Sequence, residues 1–144
     1  MDRLRNITTM VLFIGLSLSI QAQSYIGTWK TVDDSTNESK SHVEVYEQNG
    51  KLYGKLVKLL TAEPGEVCKE CTGDKKNKPL LGLVIIEDLN KVKDYYGKGT
   101  IMDPENGKEY GCSIWFEDGK PNELKVRGKH WTGIYRTQTW YRIK

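Results

Sequence analysis

Long hydrophobic runs are nearly absent from this 144-residue sequence, and the one exception lies close to its start. The uncharged segment from Ile7 to Ile20 is shorter than the roughly 18 to 20 apolar residues that a membrane-spanning helix needs. Two arginines precede it and Gln21-Ala22-Gln23 follows, a pattern typical of a cleavable secretory signal over residues 1–22. A retained membrane anchor stays open as the alternative, because the bulky Ile20 occupies the third position before the presumed cut. We therefore expect an exported protein, periplasmic or secreted, with no stable membrane insertion after cleavage.

Histidine is scarce, which limits the enzyme chemistry that the chain can support. His42 and His130 are the only two histidines, and neither lies in a recognisable catalytic motif. The sequence also contains no HExxH motif, no phosphate-binding glycine loop and no dinucleotide fingerprint. No catalytic residues are therefore assigned, and an enzyme is the least favoured class of function.

An excess of charge of one sign is also lacking. Removing residues 1–22 from the 144 leaves 122 residues, which carry 20 Lys and Arg against 18 Asp and Glu. This length suits a single domain with its own core, over residues 23–144. Because acids and bases are mixed along the chain, no basic stripe predicts nucleic-acid binding.

What the mature chain does contain is a series of short runs in which apolar and polar residues alternate, separated by Gly, Asn, Asp and Pro. Asn49-Gly50 supplies two residues that tolerate positive φ, as a type I′ hairpin turn requires. The predicted strands are Tyr25–Val32, Ser41–Gln48, Lys51–Leu60, Leu83–Leu89, Tyr95–Met102, Glu109–Phe116, Glu123–Lys129 and Ile134–Arg142.

About eight short strands predict an all-β fold. We expect a small antiparallel β-barrel, because closing the sheet removes the exposed edges that invite aggregation. A β-sandwich is the alternative. The one long connection, from about Thr61 to Leu81, has the composition of an ordered loop.

Three cysteines are candidates for a disulfide in an exported protein: Cys68 and Cys71 in the long connection, and Cys112 in a strand. A bridge from Cys112 to either loop cysteine closes about 40 to 45 residues and is worth roughly 4 kcal/mol in chain entropy, against about 2 kcal/mol for Cys68 with Cys71. Chain entropy favours the long bridge, but strand geometry can forbid it. The pairing therefore stays open.

Two other uses of the cysteines compete with a disulfide. The spacing of Cys68 and Cys71 fits a redox pair, although no helix N-terminus is predicted there to lower a thiol pKa. The three cysteines with His42 or His130 would complete a tetrahedral Cys₃His zinc site. A single CxxC is a weak signal, so we expect no metal and no other cofactor.

Further motifs run through the mature chain in a fixed order: Gly27–Thr31, Gly50–Lys55, Cys68–Cys71 followed by Pro79 and Gly82, Gly99–Pro104, Asn106–Cys112, Leu124–Gly128 and Gly133–Arg142. In combination they resemble the bacterial family catalogued as domain of unknown function 2147 (DUF2147). The resemblance spans nearly the whole mature chain and implies a small exported bacterial protein. Since that family has no assigned activity, the resemblance implies no reaction.

The Gly27-Thr28-Trp29 motif is also similar to the first strand of lipocalin and fatty-acid-binding (calycin) barrels, which often set an arginine from the last strand against the tryptophan. Arg142 or Arg136 would supply that arginine here, as a cation on an aromatic face. This likeness implies a calycin-like barrel and does not by itself imply a ligand.

Alternate residues of the last predicted strand share a face, and Arg136 lies on a face with aromatic and polar neighbours. If that face points inward, the barrel contains a few polar groups among aromatics, as in a ligand pocket, and Arg136 would pair with a carboxylate or phosphate. Arg127 would assist if its strand is turned the same way. In the alternative, the arginines stack on tyrosines outside a packed interior. The candidate ligand-binding residues are Trp29, Tyr110, Arg127, Arg136, Gln138 and Trp140.

A non-catalytic binding module for a small apolar or anionic ligand is the function that these features favour. An envelope structural or protein-interaction domain is the first alternative, favoured if the core is solid and outer aromatics such as Trp115 and Tyr53 are exposed. An uncharacterised enzyme is the second. The sequence indicates neither the partner nor the oligomeric state.

Overall fold

The alternating segments pair in sequence order, and the last strand pairs with the first, so the sheet closes into an eight-stranded antiparallel barrel. The computed structural model describes residues 23–143. The barrel prediction is confirmed, and the β-sandwich alternative is wrong. The strands are β1 Gly27–Val32, β2 Ser39–Gln48, β3 Lys51–Leu59, β4 Val84–Val92, β5 Tyr95–Met102, β6 Glu109–Phe116, β7 Glu123–Lys129 and β8 Tyr135–Arg142.

The predicted hairpin between β2 and β3 is confirmed by its turn. Asn49 and Gly50 have φ values of 52° and 77°, the two positive values that a type I′ turn requires, and Gln48 pairs with Lys51 across it. β4 ends at Val92, beyond its predicted end at Leu89. Asp88 has a positive φ of 56°, and this irregularity breaks the alternation of apolar and polar residues from which the end of the strand was predicted.

Inward-facing side chains fill the middle of the barrel. Val43 and Val45 of β2, Ile114 of β6 and Leu124 of β7 are at most 1% exposed. Close packing of this kind leaves no space for a ligand among these side chains.

One end of the barrel is closed by the segment that precedes β1. Tyr25 packs against Phe116 with ring centroids 4.6 Å apart, and the indole N–H of Trp29 donates to the Tyr25 carbonyl at 3.0 Å. Arg142 lies over the Trp29 ring at 4.2 Å from its centroid and donates to the carbonyl of Ser24 at 2.6 Å. The arginine and tryptophan pair expected from the calycin likeness is therefore formed by Arg142 and not by Arg136.

The long connection between β3 and β4 packs on the outer wall and includes a short 3-10 helix, Gly73–Lys75. A disulfide joins Cys68 and Cys71, both of which are buried, and Cys71 Sγ lies 3.7 Å from the sulfur of Met102. No helix within residues 23–143 is long and apolar enough to cross a membrane. The predicted signal falls on residues 1–22, outside the described residues, and stays a prediction.

Candidate functional site

The two ends of the barrel differ, and the end opposite Tyr25 is the more accessible. We call this end the mouth; the connections 33–38, 60–83, 103–108 and 130–134 leave the strands there. Along β8, exposure of the inward-facing side chains rises towards the mouth: Trp140 is buried, Gln138 is half-buried and Arg136 is exposed. The closed end and the middle are therefore filled, whereas the inner wall at the mouth is open to solvent.

Three positions on β5, β6 and β7 also line the mouth. Ile101 pairs with Tyr110 across β5 and β6, and both are half-buried. Gly128 is partly accessible, and a Cβ added there would meet Tyr110 and Ile101 at ordinary contact distances of 3.4 and 3.5 Å. Gly128 pairs directly with Arg136, so this apolar and aromatic surface lies next to Arg136 on the inner wall.

Arg136 is held by two carboxylates from the connection between β1 and β2. Its guanidinium bonds Asp34 and lies 3.2 Å from Asp33 Oδ1. The hydrogen bond from Arg136 lowers the pKa of Asp34 below its ordinary value of 3.8. The pKa of Asp33 is also lowered, mainly by the hydroxyl and backbone N–H of Ser35. We call this three-residue contact the clasp.

The clasp spans a part of the barrel where β1 and β8 share no backbone pairing. The two strands pair only at Trp29 with Arg142 and at Lys30 with Tyr141 within the described chain. From there to the mouth β8 is paired with β7 alone. Side chains, and not a ladder of backbone hydrogen bonds, therefore connect the two strands at the mouth.

Below Arg136, the inner wall carries polar groups that are already hydrogen-bonded. The indole N–H of Trp140 donates to Gln138 Oε1 at 3.0 Å. The hydroxyls of Thr31 and Ser41, both buried, lie 3.0 Å apart. These partners leave Arg136 as the charged group that an incoming molecule meets first on this wall.

The predicted site residues are only partly brought together. Tyr110, Arg136, Gln138 and Trp140 line or underlie the mouth. Trp29 lies at the closed end with Arg142, so it is separate from Arg136 and the mouth.

Arg127 faces outward, so the condition under which it would assist Arg136 is not met. Its guanidinium lies 4.0 Å from the centre of the Tyr135 ring and 4.9 Å from that of Trp115. Its Nε donates to Thr137 at 2.9 Å. The alternative of an outer arginine stacked on aromatics is thus correct for Arg127 and wrong for Arg136, because the two occupy opposite faces of neighbouring strands.

The disulfide is not the one that chain entropy favoured, which would have joined Cys112 to a loop cysteine. Cys68 bonds Cys71, and Cys112 is a free thiol that faces the packed interior, so chain entropy did not decide the bridge. Burial raises the pKa of Cys112 to about 12, which keeps the thiol protonated and inert. The short bridge forms because the loop lies outside the wall while Cys112 points inward.

The disulfide removes two of the three thiolates that the zinc alternative needs. Within residues 23–143 no group of three or more His, Cys, Asp and Glu is placed to hold a metal ion. His42 lies beside Lys30 and Lys58, where burial and these two cations lower its pKa. His130 contacts the hydroxyl of Thr132 at 2.8 Å.

Two clefts lie outside the barrel wall, beside the disulfide loop. One, of about 350 Å³, is lined by residues that include Lys78, Pro79 and Leu81. The other, of about 260 Å³, is lined by residues that include Met102 and Glu109. Neither cleft contains any of the predicted ligand-binding residues.

The part of the chain that carries these motifs matches a known family. Residues 27–142 match the family described as uncharacterised proteins conserved in bacteria (DUF2147). The chain belongs to the DUF2147 family. The match extends from β1 to β8, so the expected resemblance is confirmed for the whole barrel of this DUF2147 member.

The barrel also has a solved counterpart. It is similar to protein HP1028 from the human pathogen Helicobacter pylori, which is described as belonging to the lipocalin family. The two chains are 25% identical, the similarity covers 84% of each, and the TM-score is 0.71. No curated protein matches this DUF2147 chain. The lipocalin-like fold is therefore established.

Sequence reasoning missed the two aspartates of the clasp. Asp33 and Asp34 lie in a connection rich in polar residues, which predicts a solvated turn. Arg136 is 102 residues away from Asp34, so no local pattern connects them. The charge of Asp33 and Asp34 after an apolar strand was the only available signal, and it does not identify a partner.

Proposed function

We propose that this chain is an exported, non-catalytic binding module that takes a small molecule with an apolar body and an anionic group at the mouth of the barrel. The observation that carries the proposal is the position of Arg136, an exposed guanidinium on the inner wall next to the apolar surface of Ile101 and Tyr110. A guanidinium binds carboxylate, sulfonate or phosphate with charge-assisted hydrogen bonds. The disulfide between Cys68 and Cys71 supports export, because such bonds persist in oxidising compartments.

The depth of the site limits the ligand. Trp140, Ile114 and Leu124 fill the interior below the mouth. An apolar body would therefore cover Ile101 and Tyr110 at the mouth without entering the lower barrel. A small or flat molecule suits this surface better than a long acyl chain.

The clasp sets the affinity, because Asp33 and Asp34 already occupy the guanidinium. An anionic ligand must replace at least one carboxylate, so part of its interaction with Arg136 is offset by the lost ion pair. Removing a carboxylate should strengthen binding, whereas removing the guanidinium should weaken it. These opposite signs distinguish a site at the clasp from adsorption elsewhere on the protein.

The test is a titration with the fluorescent probe anilinonaphthalene sulfonate, which combines an apolar aromatic body with a fixed negative charge. The Arg136→Ala variant should bind the probe about tenfold more weakly, the loss expected for one partly exposed charged hydrogen bond. Asp34→Asn should bind it several-fold more tightly, on the order of 1 kcal/mol.

Arg127→Ala is the matched control, because it removes an arginine from the outer face of the neighbouring strand. Its probe affinity should equal that of the wild type. Unchanged affinity in Arg136→Ala, with the circular dichroism spectrum preserved, would refute the mouth as the site.

A further inference from the structure

The disulfide loop brings three sulfur atoms together on the outer wall of the barrel. Cys68 is bonded to Cys71, and Cys71 Sγ lies 3.7 Å from the sulfur of Met102 on β5. We propose that Cys68, Cys71 and Met102 form a three-coordinate site for copper(I) once this disulfide is reduced. The function proposed above uses none of these residues, so this inference does not rest on it.

The spacing of the sulfur atoms suits one shared metal ion. Metal–sulfur bonds of about 2.3 Å at trigonal angles place two sulfurs about 4 Å apart. The sulfurs of Cys71 and Met102 are already close to that separation. The Cα atoms of Cys68 and Cys71 are 5.3 Å apart, so rotation of the side chains brings their sulfurs to the same spacing after the bond between them opens.

The types of ligand select the metal. Two thiolates and a thioether are soft ligands, which favour copper(I). A structural zinc site would need four ligands from Cys, His or carboxylate. The remaining cysteine, Cys112, lies in the packed interior on the other side of the wall and cannot complete such a set.

A cleft of about 260 Å³ gives a metal ion access to the sulfurs. Cys71 and Met102 belong to its lining, although each is at most 5% exposed. Carboxylates outnumber ammonium groups in this lining, with Asp74, Glu87 and Glu109 against Lys75. The excess of negative charge attracts a cation towards ligands that are themselves nearly buried.

Other contacts keep the loop in place when the disulfide opens. The backbone N–H of Cys68 donates to the Lys78 carbonyl at 2.8 Å, and the Cys68 carbonyl accepts from the N–H of Asn77 at 2.9 Å. Lys75 Nζ lies 2.8 Å from Glu87 Oε2 on β4. The reduced cysteines therefore stay close to Met102, and the metal has little left to order.

Reduction and copper binding are separate steps. A dithiol reductant supplies two electrons and two protons, the bond between the two Sγ atoms breaks, and the reductant becomes a disulfide. Copper(I) then displaces the two thiol protons and accepts a lone pair from the Met102 sulfur, without changing its own oxidation state. In an oxidising compartment the site stays closed until such a dithiol reaches the protein.

The experiment is an anaerobic competition titration between the secreted protein and bicinchoninate, a chromophoric chelator of copper(I). The disulfide is first reduced with a phosphine, which is then removed. The reduced wild type should take copper(I) from the chelator at one ion per chain, whereas the oxidised protein should leave it with the chelator. The double variant Cys68→Ser with Cys71→Ser should behave like the oxidised protein even after reduction.

Two single variants locate the third ligand. Met102→Leu replaces the thioether by a side chain of similar size, so the packing is kept, and it should bind copper(I) about tenfold more weakly. Cys112→Ala, which removes the thiol inside the barrel, is the matched control and should bind like the wild type. X-ray absorption at the copper edge should show three sulfurs at about 2.3 Å in the wild type and two in Met102→Leu.

Equal copper(I) affinity of Met102→Leu and the wild type, with the circular dichroism spectrum preserved, would overturn the proposal. So would copper(I) binding by the oxidised protein, or a preference of the reduced protein for zinc. Met102→Leu should leave the binding of anilinonaphthalene sulfonate unchanged, which keeps this test separate from that of the mouth.

Discussion

Arg127 and Arg136 show that the direction of one side chain decides what an arginine does. Arg127 pairs across the strands with Thr137, the residue next to Arg136, so the two guanidinium groups emerge on opposite sides of the wall. Outside, Arg127 lies between two aromatic rings, where its role is packing. On the inner face, Arg136 contacts two carboxylates and is exposed to solvent. The sequence alone treats the two residues alike.

Gly107 is a second residue whose identity is fixed by a distant contact. It has a φ of 71°, and a Cβ there would overlap the Glu70 carbonyl of the disulfide loop. Gly107→Ala should lower the free energy of unfolding by about 2 to 4 kcal/mol, since overpacking adds to backbone strain. Urea denaturation measures this change.

Gly119→Ala is the control for that measurement. Gly119 has a similar φ of 74°, and its Cβ would meet no atom within 4 Å, so the substitution should cost only about 1 kcal/mol. If both substitutions lowered the free energy of unfolding equally, the overlap with Glu70 would add nothing to the cost at Gly107.

At the scale of elements, the disulfide loop is stabilised against the barrel by both contacts and a covalent bond. Cys68 accepts and donates backbone hydrogen bonds with residues 77 and 78, and Lys75 pairs with Glu87 of β4 at 2.8 Å. Leu80 is buried. These contacts hold the loop on the wall, and the bridge limits the freedom of its unfolded form.

Replacing both loop cysteines by serine should therefore destabilise the protein without unfolding it. The expected loss in the free energy of unfolding is about 2 kcal/mol, the chain-entropy value for so short a ring. Thermal or urea denaturation measures it. A reducing agent should lower the stability of the wild type and leave the double variant unchanged; a similar response in both proteins would contradict this assignment.

At the scale of the whole molecule, closure of the barrel is weakest between β1 and β8, where the clasp replaces backbone pairing. The pKa of Asp34 is lower in the folded chain than its unfolded value of 3.8. Such a group adds stability above its unfolded pKa and loses that stability as pH falls through the folded pKa. Acid below about pH 4 should thus loosen the mouth first.

The wild type should lose melting temperature between about pH 5 and about pH 2.5, and Arg136→Ala should lose less across the same range. The variant lacks the hydrogen bond that lowers the Asp34 pKa, so less of its stability depends on that proton. Arg127→Ala should keep the wild-type dependence. Parallel pH curves for wild type and Arg136→Ala would contradict a stabilising role for the clasp.

Local patterns predicted most of the strands and one turn. The bounds of β5, β6 and β7 agree with the prediction, because strong turn residues lie at the ends of each run. Asn49-Gly50 predicted its hairpin because few residue pairs tolerate two positive φ values. For the arginine that stacks on Trp29, the sequence left two candidates, Arg142 and Arg136. The pairing of β1 with β8 selects Arg142, and that pairing joins residues far apart in the chain.

The sequence by itself determined the all-β class, the succession of strands and the alternation of side chains along each one. Tertiary structure decided which of two amphipathic faces is inward, which arginine lies at the mouth and which cysteine stays unpaired. The physical reason is that alternation relates side chains within a strand but leaves the absolute face to packing across the barrel. Contacts such as Arg136 with Asp34, 102 residues apart, exist only once the barrel has closed.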